Sequence, residues 1–107
     1  MKKAERFQVL SEMGCIVCWL AGFPETPAEI HHLRAGVHGT GMRSGYDRTI
    51  PLCPAHHRTG GHGVAIHAGR ETFENNYGTE NELLEFTNRG IVVISERKNI
   101  PKKGERK

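Results

Sequence analysis

Apolar residues recur at helical spacing near the start of the chain. Phe7, Leu10 and Met13 fall on one face, so residues 4–13 are expected to form a short amphipathic helix that packs those three inward. Gly14 is expected to end it and open a cysteine turn. Pro24 and Pro27 then break the chain before Ala28–Leu33, which reads as a strand. Residues 34–48 carry Gly36, Gly39, Gly41 and Gly45 and read as a loop. Thr49–Leu52 reads as a second strand, antiparallel to the first. Cys53-Pro54 places a proline where a helix can begin, and Gly60-Gly61 should interrupt that helix early. Phe73 and Tyr77 sit at i, i+4 on a short helix closed by Gly78. Thr79-x-x-Glu82 is a capping box that opens a further helix, with Leu83 and Phe86 on its apolar face and Gly90 as its C′ residue. Ile91–Ile94 reads as a short β run, and the polar residues 96–107 as a disordered basic tail. The ordered domain is expected to span residues 1–95.

Composition says how such a chain could hold together. Leu, Ile, Val and Phe make up about 21% of the 107 residues, barely above the ~20% typical of disordered chains, so the core must be thin. Small domains with thin cores commonly need a metal or disulfides. The chain has 3 Cys, which cannot all pair within one molecule. No apolar run approaches a membrane span, and Met1-Lys2-Lys3 is not followed by the apolar stretch of a secretory signal. A cytoplasmic protein with no membrane partner is expected.

The cysteines supply the candidate staple. Cys15-x2-Cys18 and Cys53-Pro-Ala-His56 are two knuckles of equal spacing, and together they form a Cys3His set suited to tetrahedral structural zinc. A Cys15–Cys18 redox pair and inert core cysteines are the competing readings. All 7 histidines fall between His31 and His67, which points to a second metal site beyond the zinc set.

Charge adds a partner. The net charge of +3 conceals basic tails and a centre in which Arg34, Arg43, Arg48, Arg58 and Arg70 are the early basic residues, with no lysine among them. Arginine suits bidentate phosphate contacts, so these five are candidate DNA-binding residues.

These stretches resemble the HNH nucleases, whose ββα-metal motif is a two-stranded hairpin followed by a helix. Ala28-Glu-Ile-His-His-Leu33 resembles the first strand, and Ile50-Pro-Leu-Cys-Pro-Ala-His-His57 the strand–knuckle–helix segment. More narrowly, Thr49-Ile-Pro-Leu-Cys53, His56-His57-Arg-Thr-Gly60 and Ala65-Ile-His-Ala-Gly-Arg70 resemble the phage recombination-enhancement (Ref-type) RecA-dependent nucleases, as do Phe73-Glu74 and Tyr77-Gly78. The resemblance implies an α+β fold: a small zinc-stapled HNH domain with an N-terminal helix and C-terminal helices, its motif core at residues 15–67. It implies a metal-dependent endonuclease that hydrolyses DNA phosphodiester bonds to 5′-phosphate and 3′-hydroxyl ends, acting in phage or bacterial recombination.

Carried over residue by residue, His32 would be the general base, and His31, His57 and His62 would hold a catalytic divalent ion, Mg2+/Mn2+ or Zn2+/Ni2+. His67 competes with His62, which lies five residues after His57 instead of the family's usual four. Asp47-Arg48 occupies the neighbourhood of the usual Asn. DNA and a RecA filament are the implied partners. A non-catalytic zinc module that binds DNA or protein is the alternative function, and a zinc-stabilised adaptor with a surface metal buffer the next. Adjacent strand residues face opposite sides, so His31 and His32 can serve one site only where the strand ends or bends.

Overall fold

The structure is a computed structural model that describes residues 1–34 and 45–105, with side chains through residue 96. Gly36, Gly39, Gly41 and Arg43 lie outside the described residues. The elements run α1 (Lys3–Met13), α2 (Ile16–Leu20), β1 (Glu29–His32), β2 (Thr49–Leu52), a π-helical turn (Ala55–Thr59), a 3₁₀ turn (Ile66–Ala68), α3 (Arg70–Tyr77) and α4 (Glu80–Glu105). This is an α+β chain built on one hairpin.

The hairpin is antiparallel, with Glu29 opposite Leu52, Ile30 opposite Pro51, His31 opposite Ile50 and His32 opposite Thr49. All four residues of β2 are buried, because α1, α2 and α4 pack against it. Leu10, Met13, Ile16, Ile50, Leu52, Phe73 and Leu83 form the centre of the core. β1 is less covered: its burial rises to His31 and ends at the exposed His32.

Two expectations at the C-terminal end are corrected. Gly90 does not end a helix, and Ile91–Ile94 is not a β run: α4 continues through both to Glu105, across most of the segment expected as a disordered tail. Burial explains the difference. Leu83, Thr87 and Ile91 are buried and Ile94 packs on the core, while Val92 and Val93 are exposed. That is the 3.6-residue period of a helix, not the alternation of a strand. Gly90 makes room for the Met13 side chain of α1: a Cβ there would sit 2.7 Å from Met13 Cε. A glycine inside a helix forfeits about 1 kcal/mol of propensity, offset here by the close approach of the two helices.

α2 is an element that the sequence pattern does not separate from the cysteine turn. Cys15 is its N-cap and Cys18 lies on it, with the Trp19 amide donating to the Cys15 carbonyl at 2.9 Å. The buried Arg6 is a core residue with no signal in the apolar pattern. Its guanidinium donates to the Thr49 hydroxyl (2.9 Å), the Thr49 carbonyl (2.6 Å) and Asn88 Oδ1 (3.0 Å), tying α1 to β2 and α4. Burial lowers its pKa, and Asp47 opposes that shift.

Gly14 closes α1 as expected, and its conformation fixes the path into the first knuckle. It adopts φ +78°, and an added Cβ would lie 2.6 Å from the Thr26 backbone nitrogen and oxygen. Neither atom can yield, because the Thr26 carbonyl accepts the Cys15 amide at 2.9 Å. Gly14→Ala should therefore destabilise the fold by at least about 1–3 kcal/mol, read as a lowered midpoint in thermal or urea unfolding.

Candidate metal centres

Cys15, Cys18, Cys53 and His56 converge, with their four ligand atoms within 4.8 Å of one another. His56 Nδ1 lies 3.6 Å from Cys15 Sγ, 3.7 Å from Cys18 Sγ and 3.2 Å from Cys53 Sγ, and the Cys18 and Cys53 sulfurs are 4.0 Å apart. A tetrahedral zinc with ordinary Zn–S and Zn–N bonds requires edges of about 3.6–3.8 Å. The donor set fits that ion in type and spacing. The 4.0 Å between Cys18 and Cys53 is far beyond a disulfide bond, and all three cysteines are free.

The backbone delivers these groups from three segments. Cys15 and Cys18 come from the start of α2, Cys53 follows β2, and His56 lies on the π-helical turn. Burial pushes the Cys15 thiol up to about 12, so without a cation it stays protonated. Burial lowers the His56 pKa, which favours the neutral, metal-ligating imidazole.

The π-helical turn then presents the next residue to a second cluster. His31, His57 and His67 bring their ring nitrogens within 4.8 Å of one another. His57 Nε2 and His67 Nε2 are 3.1 Å apart, close to the ~3.3 Å edge expected for two imidazoles on one tetrahedral zinc. Three protein nitrogens leave a further coordination position, as in catalytic rather than structural sites. Burial, then the neighbouring His57 and His31, lower the His67 pKa and favour its neutral ring.

Two carboxylates steer these rings. His57 Nδ1 lies 2.8 Å from Glu29 Oε1, which leaves Nε2 toward His67. His31 Nε2 lies 2.7 Å from Glu80 Oε2. Glu29 is held in turn by Arg58, whose Nε and Nη2 donate to its two oxygens; Arg58 first, then His57, bring its carboxyl down to about 2. Neither Glu29 nor Glu80 stands out in the sequence. The signal available for Glu29 is its i, i+2 relation to His31 on a strand, which puts both side chains on one face. Glu80 reaches His31 from 49 residues away and has no local signal.

The third member of the second cluster is His67, the competitor that the sequence offered to His62. His62 Nδ1 faces the Ala68 carbonyl at 3.3 Å, and its Nε2 lies 3.0 Å from the Thr72 hydroxyl. Gly60 ends the π-helical turn, so no regular helix carries the chain from His57 to His62. A Cβ on Gly69 would lie 2.7 Å from His62 Nδ1, so that ring packs on the loop before α3.

His32 is exposed at the last position of β1, on the strand face opposite His31. Among the arginines, Arg58 is engaged by Glu29, and Arg70 lies 3.7 Å from Glu80 Oε1. Arg34 is exposed and gives its backbone N–H to Glu80. Arg48 donates to Asn81 Oδ1 at 3.1 Å. Three of the five candidate arginines thus border the histidine cluster through its two carboxylates.

A family model described as recombination enhancement, RecA-dependent nuclease matches residues 2–91 of the chain. No curated protein and no solved structure matches it.

The Cys3His geometry generates a measurable expectation. Purified protein should hold one zinc per chain at this site, and Cys15→Ser should remove most of the ~10 kcal/mol of folding energy that structural zinc supplies. Because loading must expel protons from thiols such as Cys15, zinc affinity should fall as pH falls. Elemental analysis and competition with a chelator at several pH values check both. Folded protein that carries no zinc would contradict the assignment.

Proposed function

We propose that this chain, which belongs to the recombination-enhancement, RecA-dependent nuclease family, is a metal-dependent HNH endonuclease that hydrolyses DNA phosphodiester bonds. The observation that carries the reading is the convergence of His31, His57 and His67 on one point beside a separate Cys3His set. One set suits a structural ion and the other an ion with an open position. The antiparallel hairpin followed by a helical turn at His56-His57 supports the ββα-metal assignment.

His31, His57 and His67 would hold the catalytic ion. Bound there, a divalent cation would supply positive charge to the scissile phosphate and to the leaving oxygen. Imidazole ligands suit Zn2+ or Ni2+, and Mg2+ and Mn2+ remain candidates for the working ion. His32 is the proposed general base: β1 ends there, which leaves an exposed imidazole at the rim of the hairpin, one residue from the cluster. An imidazole suits proton abstraction from water near neutral pH. Arg34 and Arg70 stand beside Glu80 at the same centre and would hold flanking phosphates, and Arg48, which donates to Asn81, is proposed for the same role. Arg58 would do so only by sharing its guanidinium with Glu29. Arg43 is proposed for the same role on its sequence position alone.

DNA is the proposed substrate, and the family's description as a RecA-dependent nuclease supports a RecA filament as the proposed partner. None of the described helices is long and apolar enough to cross a membrane.

A nicking assay with each ion, with and without RecA filaments, tests the reading. His32→Ala should keep the fold and the zinc yet lose about 10²–10⁴ in cleavage rate. His57→Ala and His67→Ala should weaken catalytic-ion binding, with partial rescue by excess ion, whereas His62→Ala should cleave within a few fold of wild type. DNA binding without cleavage under every ion and filament condition would favour the non-catalytic zinc module. Full activity of His32→Ala would remove it as the base.

A further inference from the structure

Glu80 is fully buried, and its contacts are those of a group that directs a neighbour. Its Oε2 lies 2.7 Å from His31 Nε2, and its Oε1 accepts the Arg34 backbone N–H at 2.9 Å. Arg70 Nη1 stands 3.7 Å from Oε1. Glu80 is also the first residue of α4, where the helix N-terminus favours negative charge. Its own amide donates to Glu74 Oε2 at 2.9 Å, and the adjoining capping box is closed by Thr79 and Glu82. The carboxylate is thus pinned from several directions before it meets the histidine.

A carboxylate can only accept hydrogen bonds. Facing Glu80, His31 must present Nε2–H, and the lone pair then falls on Nδ1, the other ring nitrogen. His57 and His67 both lie close to the His31 ring, with centroids 5.2 and 5.4 Å away. We propose that Glu80 is a positioning residue, which fixes His31 in the Nε2–H tautomer so that Nδ1 is the metal-ligating atom of the His31–His57–His67 cluster. Glu80 touches neither substrate nor ion and acts through His31. The inference rests on the assignment of that cluster as an ion site, but its first readout needs no ion.

The substitution Glu80→Gln separates this role from mere support of the fold. Glutamine keeps the size and the polarity of the side chain but offers one acceptor and one donor group. With its oxygen kept on the Arg34 amide, its NH2 group faces His31 Nε2. That nitrogen must then accept, and the ring proton moves to Nδ1, the position a metal would need.

Nitrogen-15 NMR on the zinc-loaded full chain, without a second ion, reads the His31 tautomer directly. Wild type should show the Nε2–H form, and Glu80→Gln should shift His31 toward Nδ1–H while its zinc content and fold are retained. Calorimetric titration with Ni2+ should then show second-site affinity about 10–100-fold weaker in Glu80→Gln than in wild type. An Nδ1–H tautomer in wild type overturns the proposal even if the variant fails to fold. So does a folded Glu80→Gln protein that keeps the Nε2–H tautomer, or one whose Ni2+ affinity is unchanged. Lack of DNA cleavage by wild type would count against the endonuclease reading alone, because tautomer and ion affinity are measured without DNA.

Discussion

Everything else in this fold is referred to the point where two knuckles, 35 residues apart from Cys18 to Cys53, come together. The apolar core is small, and a structural ion can contribute on the order of 10 kcal/mol to folding. The attachment is directional as well as stabilising. Cys15 caps α2, Cys53 terminates β2, and His56 fixes the start of the π-helical turn. With His56 turned toward the sulfurs, the next side chain, His57, faces the other cluster. β1 is placed by the same anchor, because His31 pairs with Ile50, three residues before Cys53. The geometry of the second cluster is therefore inherited from the first.

Local chemistry was legible in the sequence where one short segment determines it. The equal spacing of the knuckles, the hairpin with its two strands, the glycine closures at Gly14 and Gly78 and the capping box at Thr79 all depend on a few neighbouring residues. The α+β class follows from them. What could not be read depends on distant partners. Gly90 looks like a helix terminator until Met13 is seen packed against it. Ile91–Ile94 looks like a strand because its four residues are all β-branched, yet the buried positions keep the helical period begun at Leu83. Tertiary packing overrode local propensity there.

The candidate site divides the same way. His31, His57 and the four Cys3His residues come together from positions marked in the sequence. That His67 and not His62 joins the cluster follows from the irregular path after Gly60, which sequence spacing does not determine. A π-helical turn in place of a regular helix carries the chain away from the i, i+4 relation, so His67 arrives from the 3₁₀ turn instead. Glu80, fully buried yet distant in sequence, was visible only as one acid among many.

The two carboxylates also order the charge around the histidine cluster. Burial first, then the neighbouring His57, His31 and Arg34, lower the His67 pKa, and Glu80 opposes that shift. Glu80 lies against Nε2 of His31 and Glu29 against Nδ1 of His57, so each of these two rings meets a carboxylate at one nitrogen. Arg58 and Arg70 then stand beyond the carboxylates, at 2.6 and 3.7 Å. Charge alternates outward from the site: imidazole, carboxylate, guanidinium. Arg58 is half exposed in this arrangement, and its fork to Glu29 is set by a surface ion pair, a weak class of contact. The inner pair, His31 with the fully buried Glu80, is of the opposite kind: neither group can reach water, so its geometry is held by the fold itself. The rigid end of the site is therefore at α4 and the adjustable end at the π-helical turn.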